Sequence, residues 1–242
     1  MRIDLFLADA GLASSRTEAK KYIEAGAVTV NGRVIDKPSH DIDADRDVVY
    51  VDRSHFKYVS RGGIKLERAL NEFGIDPSGR LCLDVGASSG GFTDCLLQMG
   101  AEHVIAVDSG VGQLVAKIAS DERVTSIEKY NARYMQRADL EYTPSLAVMD
   151  VSFISATYII NAIFGCLCEG GDFVCLIKPQ FEVGRSAIGK GGIVKDVKAR
   201  DEAVRKVVDF AKQCGFKHMA LIESPIKGGD GNTEFLAHFV KP

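Results

Sequence analysis

Tryptophan is absent from these 242 residues, and cysteine is scarce, with six at positions 82, 95, 166, 168, 175 and 214. No two cysteines form a C-x-x-C pair. That is the spacing zinc sites commonly use, so no metal centre is expected. The thiols fall in apolar contexts, which suits reduced, buried cysteines in a cytoplasmic protein. An excess of charge of one sign is lacking too. Lys and Arg number 30 against 33 acids, a formal net charge of −3. A nucleic-acid partner therefore needs a local basic patch rather than a global field. No secretion signal is expected, because Met1-Arg-Ile-Asp-Leu-Phe-Leu-Ala-Asp9 places acids inside its would-be apolar region. One uncharged run, Val151 to Cys168, is long enough to suggest a membrane span. Ser152, Ser155, Thr157, Asn161 and Gly165 interrupt it, and Asp150 and Glu169 bound it. A strand end followed by a buried helix is the better reading.

What is present falls into two segments, 1–58 and 59–242. In the first, Arg2 to Gly11 has helical apolar spacing with a terminal glycine, and Ser14 to Gly26 opens on a serine cap and closes on another glycine. Val28-Thr-Val-Asn-Gly-Arg-Val-Ile35 reads as a hairpin turning at Asn31-Gly32, and Asp47 to Asp52 as a further strand. This is a small α+β module. Arg16, Lys20 and Lys21 come together on the second helix. With Arg2, Arg33 and Lys37 they could meet a phosphate backbone. A solvated charged face is the competing reading, since acids are as numerous here as bases.

The second segment alternates strands and helices. Strands are expected at 81–85, 104–107, 124–128, 146–149, 172–177, 218–223 and 235–239. Helices are expected near 91–99, 112–119, 155–167 and 199–215. Such alternation builds a mostly parallel α/β sheet covered on both faces, with ligands outside the carboxyl ends of the strands.

The most informative stretch is Leu81-Cys-Leu-Asp-Val-Gly-Ala-Ser-Ser-Gly-Gly-Phe92. A buried strand runs into small residues and then a helix start, the pattern of a turn that lets a ligand approach backbone. A dinucleotide fingerprint reads G-x-G-x-x-G. Here an acid, Asp84, precedes Gly86, and Ser88 stands where the second glycine would be. The turn resembles D-x-G-x-(G/S)-x-G of S-adenosylmethionine methyltransferases, which implies cofactor contacts from Asp84, Gly86, Ala87, Ser88, Gly90, Gly91 and Phe92. Asp108 ends the next strand at a distance suited to ribose hydroxyls, with a helix cap as its competing reading.

Four polar residues sit at strand ends or helix starts near that face: Lys65, Asp150, Lys178 and Glu234. A lysine directly after Val-Cys-Leu-Ile is costly unless paired or functional. The set suits methylation of a ribose 2′-hydroxyl. There the protein positions the nucleophile and accepts its proton. A lysine does this only when neutral, a form that burial and a second nearby cation favour. Lys178 is the expected base and Lys65 the neighbouring cation, with Asp150 and Glu234 orienting them. A plain Asp150–Lys65 salt bridge is the alternative.

Taken together, the chain resembles the TlyA family of rRNA 2′-O-methyltransferases, also called hemolysins. The likeness rests on Tyr58-Val-Ser-Arg-Gly-Gly-x-Lys65, the glycine turn, Val107-Asp108, Lys178-Pro-Gln-Phe-Glu182, Gly191-Gly-Ile-Val-Lys-Asp196 and Gly231-Asn-Thr-Glu234. Its first segment resembles the RNA-binding module of ribosomal protein S-four. The resemblance implies a Rossmann-like S-adenosyl-L-methionine-dependent domain akin to FtsJ-type ribose methyltransferases, and ribosomal RNA or ribosomal subunits as partner. It further implies methylation of cytidine and Asn131 beside the adenosine of the cofactor. One stretch departs from the family. After Asp108 the chain reads Ser-Gly-Val-Gly-Gln-Leu-Val-Ala-Lys117, without the family's aromatic and tryptophan. Two other classes compete: a membrane-acting hemolysin, which needs a spanning or amphipathic element not found outside 155–167, and an RNA-binding protein that kept the fold without catalysis.

Overall fold

The computed structural model describes residues 1–52 and 57–242. They form two compact units, Met1–Lys57 and Tyr58–Pro242. Tyr58, where the sequence pattern ends the first segment, is buried in the core of the second unit.

The first unit holds α1 (Ile3–Asp9), α2 (Arg16–Glu24) and a sheet of β1 (Val28–Val30), β2 (Arg33–Val34) and β3 (Val49–Val51) in the order β2-β1-β3. Ser15 caps α2, its hydroxyl accepting from the Glu18 N–H at 3.2 Å. Asn31 and Gly32 have φ of 50° and 77°. Two successive left-handed residues make the tight turn whose twist matches paired strands. Ile3, Leu7, Ala19, Ile23 and Val28 form the fully buried centre.

The second unit begins with α3 (Gly62–Phe73), β4 (Leu81–Val85), α4 (Gly91–Gln98), β5 (His103–Val107), α5 (Ala116–Ala119), β6 (Val124–Ile127) and β7 (Leu146–Met149). It continues with α6 (Thr157–Cys166), β8 (Asp172–Ile177), α7 (Pro179–Glu182), α8 (Val197–Gln213), β9 (Lys217–Glu223) and β10 (Phe235–Val240). Its sheet runs β6-β5-β4-β7-β8-β10-β9. Strand β10 is antiparallel to both neighbours, and the other pairings are parallel. Side-chain alternation sorts the core into two layers. Leu83 and Val85 of β4 join Ile160, Ile163 and Val207 on one face, while Cys82 joins Leu66, Leu70 and Leu96 on the other. Each such aliphatic side chain stabilises the fold by about 2 kcal/mol.

Helix α5 is shorter than the pattern from 112 predicts. Gly112 has φ of 61°, and its N–H donates to the Glu128 carboxylate at 2.7 Å. A side-chain bond and a left-handed glycine thus hold 110–113 as a turn, and the helix starts only at Ala116.

The chain enters the sheet at β4, builds β5 and β6 to one side, then crosses to β7 and β8 on the other. That reversal leaves a crevice outside the carboxyl ends of β4 and β7, the usual ligand position in such sheets.

At the opposite ends of these strands, Asp172 accepts from Arg80 and pairs with His238, both at 2.7 Å. Burial alone would raise its carboxyl, but the bonds from His238 and Arg80 outweigh that and hold it below the usual range. A lowered folded-state value adds stability above the unfolded value of about 3.9, and that stability is lost as pH falls through the folded one. Asp172→Asn is expected to cost about 2 kcal/mol at neutral pH and to approach the parent in strong acid. Thermal unfolding of both proteins across that range checks this.

Candidate active site

The glycine turn leaves β4 at Asp84. Gly86 has φ of 85°, and a Cβ there would lie 2.5 Å from the Asp150 carbonyl oxygen. Only glycine lets this turn pass the end of β7 so closely. Ser88 is left-handed as well, at φ 48°. For a serine this costs on the order of 1 kcal/mol. Its N–H donates to Asp108 Oδ2 at 2.8 Å, and the Gly110 N–H donates to Asp108 Oδ1 at 2.7 Å. Asp108 therefore ties the glycine turn to the loop after β5, and it caps no helix, since α5 begins at Ala116. Gly90 (φ 93°) turns the chain into α4. A Cβ on Gly91 would fall 2.0 Å from Ser60 Oγ, so Tyr58-Val-Ser-Arg-Gly-Gly63 rests directly on the start of that helix.

Two cavities share a wall made of Gly86, Ser88, Asp150 and Ser152. The larger, about 340 Å³, is also lined by Asp108, Gln113, Tyr130, Asn131 and Phe153. The smaller, about 260 Å³, is lined by Ser60, Lys65, Ala87, Gly91, Phe92 and Lys178 among others. Asn131 accepts from the Arg133 N–H at 3.1 Å, which fixes its side chain at the rim. Phe153 is 92% exposed with φ of 64°. A bulky residue in that region marks backbone held under strain, as ligand-binding loops often are.

Asp84, Gly90 and Glu234 line neither cavity. Asp84 is fully buried. Thr93 Oγ1 donates to its Oδ2 at 2.6 Å, while Oδ1 has no partner among the described residues. Burial pushes its carboxyl up to about 7 against the Thr93 hydrogen bond, with Asp150 and Asp108 adding to the rise. The sequence reading makes Asp84 a cofactor contact. The structure places it beneath the turn, under the backbone that lines the cavities.

The four polar residues pair in a way the sequence leaves open. Lys65 Nζ donates to Glu234 Oε2 at 2.5 Å, and both side chains are nearly sealed from solvent. Lys178 Nζ forms an ion pair with Asp150 and donates to Ser152 Oγ at 2.8 Å. The Asp150–Lys65 salt bridge of the alternative reading is not formed. Strand register explains the arrangement. Phe235 of β10 pairs with Ile177 of β8, so Glu234 arrives opposite Lys178 at the same end of the sheet. A Cβ on Gly228 would meet Glu234 Oε1 at 2.4 Å, so the loop before β10 leaves space for that carboxylate only with glycine there.

Sequence reasoning missed Ser152, Ser60, Gln113 and Tyr130. Ser152 had a signal, since it lies two residues past a strand-end aspartate in an otherwise apolar run.

In the first unit, Arg2 and Arg16 both bind one buried carboxylate. Arg2 donates to Asp4 through Nε and Nη2, each at 3.0 Å, and Arg16 Nε donates to Asp4 Oδ2 at 2.8 Å. Burial would raise Asp4, but these bonds hold it below the usual carboxylate range. Lys20, Lys21 and Arg33 are exposed.

A Rossmann-like sheet with this glycine turn defines a methyltransferase domain, a class whose methyl donor is S-adenosyl-L-methionine. The FtsJ-like methyltransferase model matches residues 58–241 and the S4 domain model matches residues 1–48. The chain belongs to the FtsJ-like methyltransferase family, with TlyA proteins among its full-length relatives. Hemolysin A of Brachyspira hyodysenteriae is 46% identical over 241 residues, 99% of this chain and 100% of that protein. The 16S/23S rRNA (cytidine-2′-O)-methyltransferase TlyA of Mycobacterium tuberculosis is 41% identical, over 97% of this chain and 87% of that one. A solved candidate hemolysin from Streptococcus thermophilus superposes with a TM-score of 0.79 at 45% identity, over 100% of this chain and 88% of that chain.

The raised Asp84 carboxyl makes stability depend on pH. A folded-state value above the unfolded one favours the fold in acid, and that contribution is lost as pH rises from about 4 to about 7. Asp84→Asn is expected to flatten that slope. An unchanged pH profile of the melting temperature in the variant would refute the assignment.

Proposed function

We propose that this chain transfers a methyl group to a ribose 2′-hydroxyl of ribosomal RNA, with cytidine as the target nucleoside, and that it works in the cytoplasm. The observation that carries the reading is the doubled ion pair, Lys65–Glu234 and Lys178–Asp150, beside a cavity that shares its wall with the glycine turn. The naming of the TlyA relatives as rRNA (cytidine-2′-O)-methyltransferases supports it.

The residues present fit the methyl donor. Gly86 leaves backbone uncovered at the cavity wall, and Asp108 and Asn131 stand on the side where a nucleoside would lie. S-adenosyl-L-methionine, when bound, supplies a methyl group already activated by its sulfonium. Lys178, once its ammonium has given up a proton, accepts the proton of the 2′-hydroxyl at Nζ. Asp150 fixes that nitrogen, and Glu234 fixes the Lys65 ammonium, which lines the same cavity, so that the ribose meets oriented groups rather than mobile ones. Asp84 holds the turn from below.

The first unit supplies RNA contacts through Arg2, Arg16, Lys20, Lys21 and Arg33, a patch that works despite the net charge of −3. Among the described residues no helix is long and apolar enough to cross a bilayer.

Lys178→Ala is expected to lower methyl transfer to ribosomal subunits by at least about 100-fold while RNA affinity stays within twofold. Undiminished transfer would remove Lys178 as the base. Replacing Arg16 and Lys20 together by alanine is expected to weaken RNA binding and flatten its salt dependence. Retained full affinity across salt would take the first unit out of recognition.

A further inference from the structure

We propose that Ser152 is a positioning residue for Lys178, aiming the lone pair of its neutral amine at the ribose hydroxyl. The proposal rests on the reading of Lys178 as the base. A neutral lysine nitrogen carries two N–H bonds and one lone pair in tetrahedral array. A flexible four-carbon stem lets that lone pair point anywhere unless both N–H bonds are claimed. In this structure Nζ is ion-paired with the Asp150 carboxylate and donates a hydrogen bond to Ser152 Oγ at 2.8 Å, while among the described residues the paired Asp150 oxygen accepts no hydrogen bond. The Ser152 bond fixes one N–H direction and the Asp150 contact limits rotation about it, which narrows where the lone pair can point, and Lys178 lines the smaller cavity. Asp150 alone, paired with Nζ without accepting a hydrogen bond, would leave it free to rotate. Ser152 removes that freedom.

Stability gives Ser152 little to do. It is solvent-exposed. The loop that carries it is anchored elsewhere: Glu182 accepts from Ser155 Oγ at 2.5 Å and from the Ala156 N–H at 2.7 Å, and pairs with Lys206. Loss of the Ser152 hydroxyl leaves those bonds intact. Ser152 also lines both cavities, which places its oxygen at the boundary between the donor and acceptor sides of the transfer.

The test uses the full chain, ribosomal subunits from cells lacking this protein, and S-adenosyl-L-methionine with a labelled methyl group. Ser152→Ala is expected to lower kcat about tenfold, with KM for the methyl donor and for the subunits within twofold. Its melting temperature should match the parent. Ser152→Thr, which keeps the hydroxyl, should restore kcat. An alanine variant with undiminished kcat, or one whose loss lies wholly in KM, overturns the proposal, as does a threonine variant as slow as alanine. Lys178→Ala run alongside separates the two ideas. If it is inactive while Ser152→Ala is fully active, the base stands and the positioning role falls. If Lys178→Ala is active, both fall.

Discussion

The turn after β4 passes the end of β7 with no space for a side chain, because a Cβ on Gly86 would meet the Asp150 carbonyl at 2.5 Å. This contact sits at the reversal of strand order, where two neighbouring strand ends must diverge to leave a crevice. It brings the backbone of one ligand-lining turn against the residue that carries a candidate acid. Gly86, Ser88 and Asp150 consequently line both cavities, so the two adjoin across one shared wall. The strained Ser88 and the bonds that Asp108 accepts are consequences of the same constraint, since a chain bent this tightly needs its N–H groups satisfied locally.

The polar residues above that contact divide into two closed pairs rather than one chain of four. Lys65–Glu234 is almost sealed, with side chains 9% and 3% exposed, while Asp150 of the second pair is 22% exposed. Burying a charge pair costs desolvation that its own attraction barely offsets, so the first pair is poor material for stability alone. It is better understood as a rigid ammonium held at one wall by a carboxylate that arrives on the single reversed strand, β10. That reversal matters chemically. A parallel strand in that place would bring its carboxyl end to the crevice, whereas β10 brings the loop before it, with Gly228 and Glu234.

Much of this was legible because apolar strands ending in Asp84, Asp108, Asp150 and Lys178 announce themselves by period and by the abrupt arrival of a charge. Their partners were not, because pairing is set by sheet order and register, which no local pattern encodes. Asp84 illustrates the gap. A strand-end acid before a glycine turn reads as a ligand contact, yet alternation turns its side chain into the layer holding Thr93, and only the three-dimensional neighbour shows this. Helix α5 failed for the converse reason. Gln113-Leu-Val-Ala116 has helical spacing, but a bond from Gly112 to Glu128 sixteen residues away outweighs propensity. Ser152 was passed over as an interruption in an apolar run, and its hydrogen bond is to Lys178, which follows a different strand.

On the proposed RNA role, the first unit bears on how an acidic chain holds a polyanion. Two of its arginines converge on Asp4, which subtracts a charge from the patch and by simple counting should weaken it. Geometry argues otherwise. A guanidinium on a free stem loses rotamer entropy when it grips a phosphate. Arg2 and Arg16 have already lost much of theirs to a buried carboxylate on the first turn of α1. Among the described residues, Nη1 of Arg2 and both Nη atoms of Arg16 donate to no protein group. Planar donors fixed in this way suit bidentate phosphate contact better than loose ones. On the proposed RNA role, Asp4 trades net charge for orientation, as the Asp150 carboxylate does beside Lys178.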